Sequence, residues 1–158
     1  MRRTDLQKRA TPSSLSGREV LLYVEDDDDN FEVAQLRMSA SYELLRARNA
    51  EEACAMWRER GGEISLILMD IELRGSDLNG VELTQLLRGE PIGAKALPTY
   101  ARNLRPCGRP IVFVTAHSAR HTKVRLMLAG AEQVIAKPVN FEDLQAAVAE
   151  LTEGRTIA

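Results

Sequence analysis

The stretch Ile64–Asp70, ISLILMD, sets six consecutive apolar or small residues directly before a carboxylate. Continuous apolarity, without polar alternation, marks a strand covered on both faces, as in a parallel sheet. Outward from it, the runs Val20–Val24 (VLLYV) and Ile111–Thr115 (IVFVT) repeat the pattern, and Tyr42–Ala47 and Glu132–Ala136 are weaker versions. Between the runs lie segments of helical period. The first carries Phe31, Ala34 and Met38, and the second Ala50, Ala53, Cys54 and Trp57 at the i, i+3, i+4, i+7 spacing of a buried stripe. The third carries Leu83, Leu86 and Leu87, and the fourth Val124, Met127 and Leu128. The fifth carries Phe141, Leu144, Val148 and Leu151, with Gly154 as its expected stop. Strands strictly alternating with helices predict a (βα)5 α/β fold, doubly wound, with right-handed crossovers around a parallel sheet.

The 158 residues match one domain, and 44% hydrophobic with 28% charged residues excludes a fully disordered or collagen-like chain. Lysine and arginine number 21 against 23 acidic residues, so the net charge of −2 offers no global field toward nucleic acid or anionic lipid. No DNA partner and no membrane contact are expected. Cys54 and Cys107 form no metal-ligand set or disulfide framework, and no signal peptide or apolar span is read, which together predict a cytoplasmic protein. Residues 1–18 read as a mobile basic tail. The domain spans 19–154, with no output domain read after it. Gly89–Arg109 is too long for an αβ connection; it is an insertion, with a helical turn or two expected around Leu97–Leu104.

In an open parallel sheet, ligands bind beyond the carboxyl ends of the strands. Glu25 and Asp26 follow the first strand, Asp70 follows the third, Thr115 ends the fourth, and Lys137 and Pro138 follow the fifth. All therefore fall on one edge. Carboxylates brought this close require a cation, and a donor set of oxygens alone favours Mg²⁺ or another hard divalent ion. Lys137 adds a point charge and Thr115 a hydroxyl, a set suited to a phosphoryl group, and with no Gly-rich phosphate loop the acceptor is a side chain, best Asp70. Asp27–Asp29 read as an acidic helix start, Trp57 as a core residue, and His117 and His121 as exposed residues.

These segments, VLLYVEDDDDN, LILMDIEL, IVFVTAHS and VIAKPV, resemble the receiver domains of two-component response regulators, in order and roughly in spacing over residues 19–152. The resemblance implies a flavodoxin-like five-stranded sheet of order 2-1-3-4-5. It implies phosphorylation of Asp70 by a histidine kinase or histidine phosphotransfer protein, and Mg²⁺ held by Asp26, Asp70 and the backbone carbonyl of Glu72, with Glu25 acting through water. Thr115 and Lys137 would contact the phosphoryl group, and the bond before Pro138 would be cis. Glu72 and His117 occupy positions that influence the lifetime of the phosphoryl group in that family. Departures are Val134 where the family commonly has Tyr or Phe, Arg74 where many members have Pro, a loop after Asp70 about two residues longer, and the insertion.

The expected function is a stand-alone, Mg²⁺-dependent phospho-receiver acting on a separate output protein by contact, with a homodimer as an option. It is not an enzyme beyond assisting its own phosphorylation and autodephosphorylation. Alternatives are a phosphorylation-independent binding module and an Mg²⁺-dependent phosphohydrolase or Toprim-like nucleic-acid enzyme. The last two leave Thr115 and the Lys137–Pro138 pair unexplained.

Overall fold

The computed structural model describes residues 17–93, 95–116 and 123–157; the tail 1–16 and both histidines lie outside them. Five strands, β1 (Glu19–Val24), β2 (Tyr42–Ala47), β3 (Ile64–Met69), β4 (Ile111–Thr115) and β5 (Gln133–Ala136), form one parallel sheet in the order β2-β1-β3-β4-β5. Five helices alternate with them: α1 (Asp28–Met38), α2 (Ala50–Arg60), α3 (Gly80–Leu87), α4 (Lys123–Leu128) and α5 (Phe141–Ile157).

The period of two along each strand divides the core into two layers. Val20, Leu22 and Val24 with Ile67, Met69 and Phe113 pack against α2, α3 and α4 through Ala53, Trp57, Leu83, Leu87 and Leu126. Leu21 and Tyr23 with Leu66, Leu68, Val112 and Val114 pack against α1 and α5 through Ala34, Met38, Leu144 and Val148. The central strands are thus buried on both faces, whereas β5, at the sheet edge, is only half-buried. Side-chain caps set the helix starts: Asp27 accepts from Asn30 N at 2.9 Å, Asn49 from Glu52 N at 2.8 Å, and Asn79 and Glu82 form a reciprocal capping box.

Two expectations are corrected. In α4 the inward residue is Leu126, 1% exposed, whereas Val124 and Leu128 are 67% and 82% exposed and Met127 lies at 38%. Ala129 and Ala131, in the exit from the helix to β5, are buried with Leu126 on the same side. Helix α5 continues through Gly154, because a glycine inside a helix costs only about 1 kcal/mol and does not by itself stop it. Within the insertion the turn expected around Leu97–Leu104 is there as a 3₁₀ turn, Thr99–Ala101; beyond it Asn103 takes a left-handed conformation (φ 59°), which ends helical propagation.

The rest of the insertion is fastened by bonds to its backbone, which makes it a strap across α2 and α3. Trp57 Nε1 donates to Arg105 O at 2.9 Å, and Arg58 Nη2 to the carbonyls of Tyr100 (3.0 Å) and Arg102 (3.1 Å). Its own Ile92, Ala101 and Cys107 are buried. At its far end Arg88 donates to the carbonyls of Cys107, Arg109 and Gly130 at 2.7, 2.8 and 2.7 Å and pairs with Glu132 at 2.9 Å. Arg88→Ala leaves these carbonyls short of a donor. It is expected to lower the unfolding free energy by about 2–3 kcal/mol in urea denaturation, and a loss below about 0.5 kcal/mol would show that water replaces the guanidinium.

Candidate functional site

Each candidate side chain is delivered by the end of a strand. Five buried residues of β1 lead directly into Glu25, itself fully buried. Its backbone N–H donates to Ala47 O at 2.9 Å, and its carbonyl accepts from Arg46 Nε at 3.1 Å. Its carboxylate accepts from Lys137 Nζ at 2.8 Å, Tyr23 Oη at 3.2 Å and Asp27 N at 3.1 Å. Asp70, 6% exposed, is held by its backbone N–H to Val24 O at 3.0 Å, and its Oδ2 accepts from Lys137 Nζ at 3.1 Å. Lys137 reaches both carboxylates because its own N–H donates to Thr115 O at 2.8 Å, extending the β4–β5 ladder past the strands. The Lys137–Pro138 peptide bond is cis.

Glu25, Asp26, Asp70, Thr115 and Lys137 thus border one cleft of about 280 Å³, with Glu72 and Arg74 on its rim. One oxygen from each of Glu25, Asp26 and Asp70 lies within 4.8 Å of the others. Oxygen donors alone, in a cluster whose acidic charge Lys137 only partly neutralises, fit a hard divalent cation such as Mg²⁺. Val134 stands opposite Phe113 in the β4–β5 register and is partly buried against the core. His117 lies outside the described residues.

Burial pushes the Asp70 carboxyl up, and Lys137 offsets this only in part, leaving it at about 7. Asp26 moves the other way: burial opposes ionisation, yet bonds from the Arg74 side chain and backbone hold it below the usual carboxylate range. Burial alone would lower the Lys137 ammonium, but its bonds to Glu25 and Asp70 raise it, so it stays charged at neutral pH. The Tyr23 hydroxyl is raised by burial and by Glu25, so it serves as a neutral donor.

Four contributors were not legible as site residues. Tyr23 lies inside the apolar run, Arg46 belongs to a neighbouring strand, and Arg74 registers only as a departure from the family pattern. Gly80 is the fourth: a Cβ there would fall 2.0 Å from Asp70 O, and its N–H donates to Ile71 O at 2.7 Å. The start of α3 therefore rests on the backbone of Asp70, an approach only glycine permits. Glycine directly after the Asn cap is the local signal for it.

The response regulator receiver domain model matches residues 21–149, and the chain belongs to that family. Among curated proteins it is 29% identical over 129 residues to the transcriptional regulatory protein YrkP of Bacillus subtilis, covering 81% of this chain and 47% of that protein. The chain thus spans about half the length of that relative. A CheY-like receiver domain protein from Methanospirillum hungatei superposes with a TM-score of 0.67 at 28% identity, covering 89% of this chain and 99% of that one. The receiver domain of Ssk1 from Saccharomyces cerevisiae, solved with the histidine phosphotransfer protein Ypd1, gives 0.66 at 26% identity, covering 85% and 89%.

The raised Asp70 carboxyl predicts a pH-dependent cost of folding. The folded state binds a proton that the unfolded state, near 3.8, has released, so this group opposes folding increasingly as pH rises from about 4 through about 7. Without divalent ions, Asp70→Asn is expected to stabilise the protein at pH 8, by at most about 4 kcal/mol, and to converge with wild type near pH 4 in urea denaturation. A difference that does not vary with pH would show that Asp70 keeps its ordinary affinity for protons.

Proposed function

We propose that this chain is a phospho-receiver that takes a phosphoryl group on Asp70 from a histidine kinase or a histidine phosphotransfer protein. The observation that carries the reading is the joint placement of Asp70 and Lys137, 3.1 Å apart, beside two further carboxylates at the carboxyl edge of a receiver-family sheet. In the transfer, an Asp70 oxygen attacks phosphorus, the bond from phosphorus to the donor imidazole breaks, and the imidazole leaves as the neutral base after gaining a proton. Lys137, charged and already bonded to Asp70 Oδ2, offers its ammonium to the growing charge on the phosphoryl oxygens. Thr115, at the end of β4, offers a hydroxyl to the same oxygens.

Glu25, Asp26, Asp70 and the Glu72 carbonyl would hold Mg²⁺, which when bound screens the carboxylates from the incoming phosphoryl group. Glu25 holds Lys137 in place and would reach the ion through water. A donor protein is supported by the receiver of Ssk1 having been solved with Ypd1. The added charge of about −2 on Asp70 then acts on partner affinity through protein contacts.

Incubation with acetyl phosphate and Mg²⁺ is expected to add one hydroxylamine-sensitive phosphoryl group by intact-mass spectrometry, lost in Asp70→Asn and with chelator. Label that survives Asp70→Asn would move the acceptor elsewhere. Val134, in place of the aromatic common in the family, favours a second reading, a module that binds its partner without phosphorylation. A folded protein that takes no label, from acetyl phosphate or from a phosphorylated phosphotransfer protein, would establish that reading instead.

A further inference from the structure

Arg74 sits on the loop leaving β3, and the proposed transfer leaves it without a role. It meets Asp26 twice at one oxygen: its backbone N–H donates to Oδ2 at 3.0 Å and its Nε–H to the same atom at 2.9 Å. Its Nη2 reaches Asp27 Oδ2 at 3.4 Å. The partners differ in freedom. The Asp26 side chain is 9% exposed and fixed by its place after β1, whereas that of Arg74 is 79% exposed. A guanidinium so exposed regains water at little cost when it leaves.

The backbone beneath it is anchored independently. Ser76 Oγ donates to Leu78 O at 2.6 Å and accepts from Ala50 N at 3.0 Å. Tyr100 Oη donates to Asp77 Oδ1 at 2.6 Å, and Lys95 Nζ to Asp77 O at 3.3 Å. The arginine can therefore swing out without the loop unfolding.

Asp26 is one of the three carboxylates whose oxygens converge within 4.8 Å. Oδ2, which already accepts two N–H groups, has its lone pairs committed, and an ion on Oδ1 instead would share the carboxylate with the guanidinium, where the two positive charges repel. A small divalent ion also demands a near-complete octahedral shell. Arginine and metal are thus in competition for Asp26.

We propose that Arg74 is a built-in counter-cation of the acidic cluster, which neutralises Asp26 while the cleft holds no divalent ion and must withdraw its guanidinium for that ion to bind, so that it sets the Mg²⁺ concentration at which the site fills. The proposal rests on the phospho-receiver reading in that the ion binds at Glu25, Asp26 and Asp70. It assigns this chain a higher Mg²⁺ threshold than the same cleft would have without the arginine.

The test is an Mg²⁺ titration of wild type, Arg74→Ala and Arg74→Lys by ¹H–¹⁵N NMR, reading the amides of Asp26 and Asp70 and, in wild type, the Arg74 Nε–H. In wild type the Nε–H resonance is expected to move to a solvent-exposed position with the same midpoint as the amides. Arg74→Ala is expected to lower that midpoint about two- to fivefold, in keeping with an exposed ion pair, and Arg74→Lys, which keeps the charge without the fork, to fall between. The ratio between wild type and Arg74→Ala should shrink toward one at about 0.5 M KCl. Equal midpoints, or weaker binding in Arg74→Ala, with saturation in both would overturn the counter-cation and leave the receiver reading standing. No saturable binding in either folded protein would overturn the metal site itself, and the competition with it.

Discussion

The Lys137 ammonium, lodged between Glu25 Oε1 at 2.8 Å and Asp70 Oδ2 at 3.1 Å, is the contact on which the site end of the molecule depends. Both carboxylates are almost out of water, and each would be an uncompensated buried charge if the lysine left, a defect that costs about 3–5 kcal/mol. The contact also joins three chain segments that are distant in sequence, the ends of β1, β3 and β5. Strand β5 has four residues and half-buried side chains, so apolar burial fixes its register only weakly. The ion pair and the Lys137 N–H to Thr115 O bond supply what burial does not, and the edge strand is thereby set against the centre of the sheet.

The same constraint explains why the apolar ladders stop where they do. Central strands covered on both faces can be wholly apolar, and a polar group is tolerated only where the helices no longer cover it and a partner is in reach. Glu25 meets that condition at the limit: it is fully buried, and its two carboxylate oxygens are satisfied by Tyr23, Asp27 and Lys137. Asp70 meets it less completely, hence its affinity for a proton and the fit of a cation there. The approach of Gly80 fixes the backbone from which Asp70 projects, so the capped start of α3 belongs to the site as much as to the fold.

The sheet was legible because its signal is continuous burial, which ISLILMD, VLLYV and IVFVT state without ambiguity, and residues that border the cleft followed from where the strands end. Less legible were features set by partners distant in the chain. In α4, Val124, Leu126, Met127 and Leu128 lie too close in sequence for all to face inward, so spacing alone selects Val124, Met127 and Leu128, whereas contact with the core selects Leu126. The insertion lacks any period, because its order comes from Trp57, Arg58 and Arg88 bonding its carbonyls, a role that no pattern local to it encodes. Arg74 is readable as an unusual residue after Asp70; that it bonds Asp26, 48 positions earlier, is a fact of the fold.

Val134 bears on how a charge gained at Asp70 would travel. A β-branched side chain with one stiff torsion, partly buried beside β4, has no second well-separated position to adopt, whereas an aromatic ring there could turn between an inward and an outward one. The structure offers another contiguous chain of contacts. It runs from Asp26 through Arg74 into the loop holding Asp77, across to Tyr100 of the strap, along the strap to Arg88, and from Arg88 to Gly130 and Glu132 just ahead of β5. Contiguity transmits nothing by itself; some member must have two arrangements that both ends can bias. Arg88 is half-buried and tied by several bonds, while the Arg74 guanidinium is largely in water and paired to a carboxylate that a divalent ion would claim. The Arg74 guanidinium is therefore the member of this chain of contacts that a divalent ion at the acidic cluster would move first.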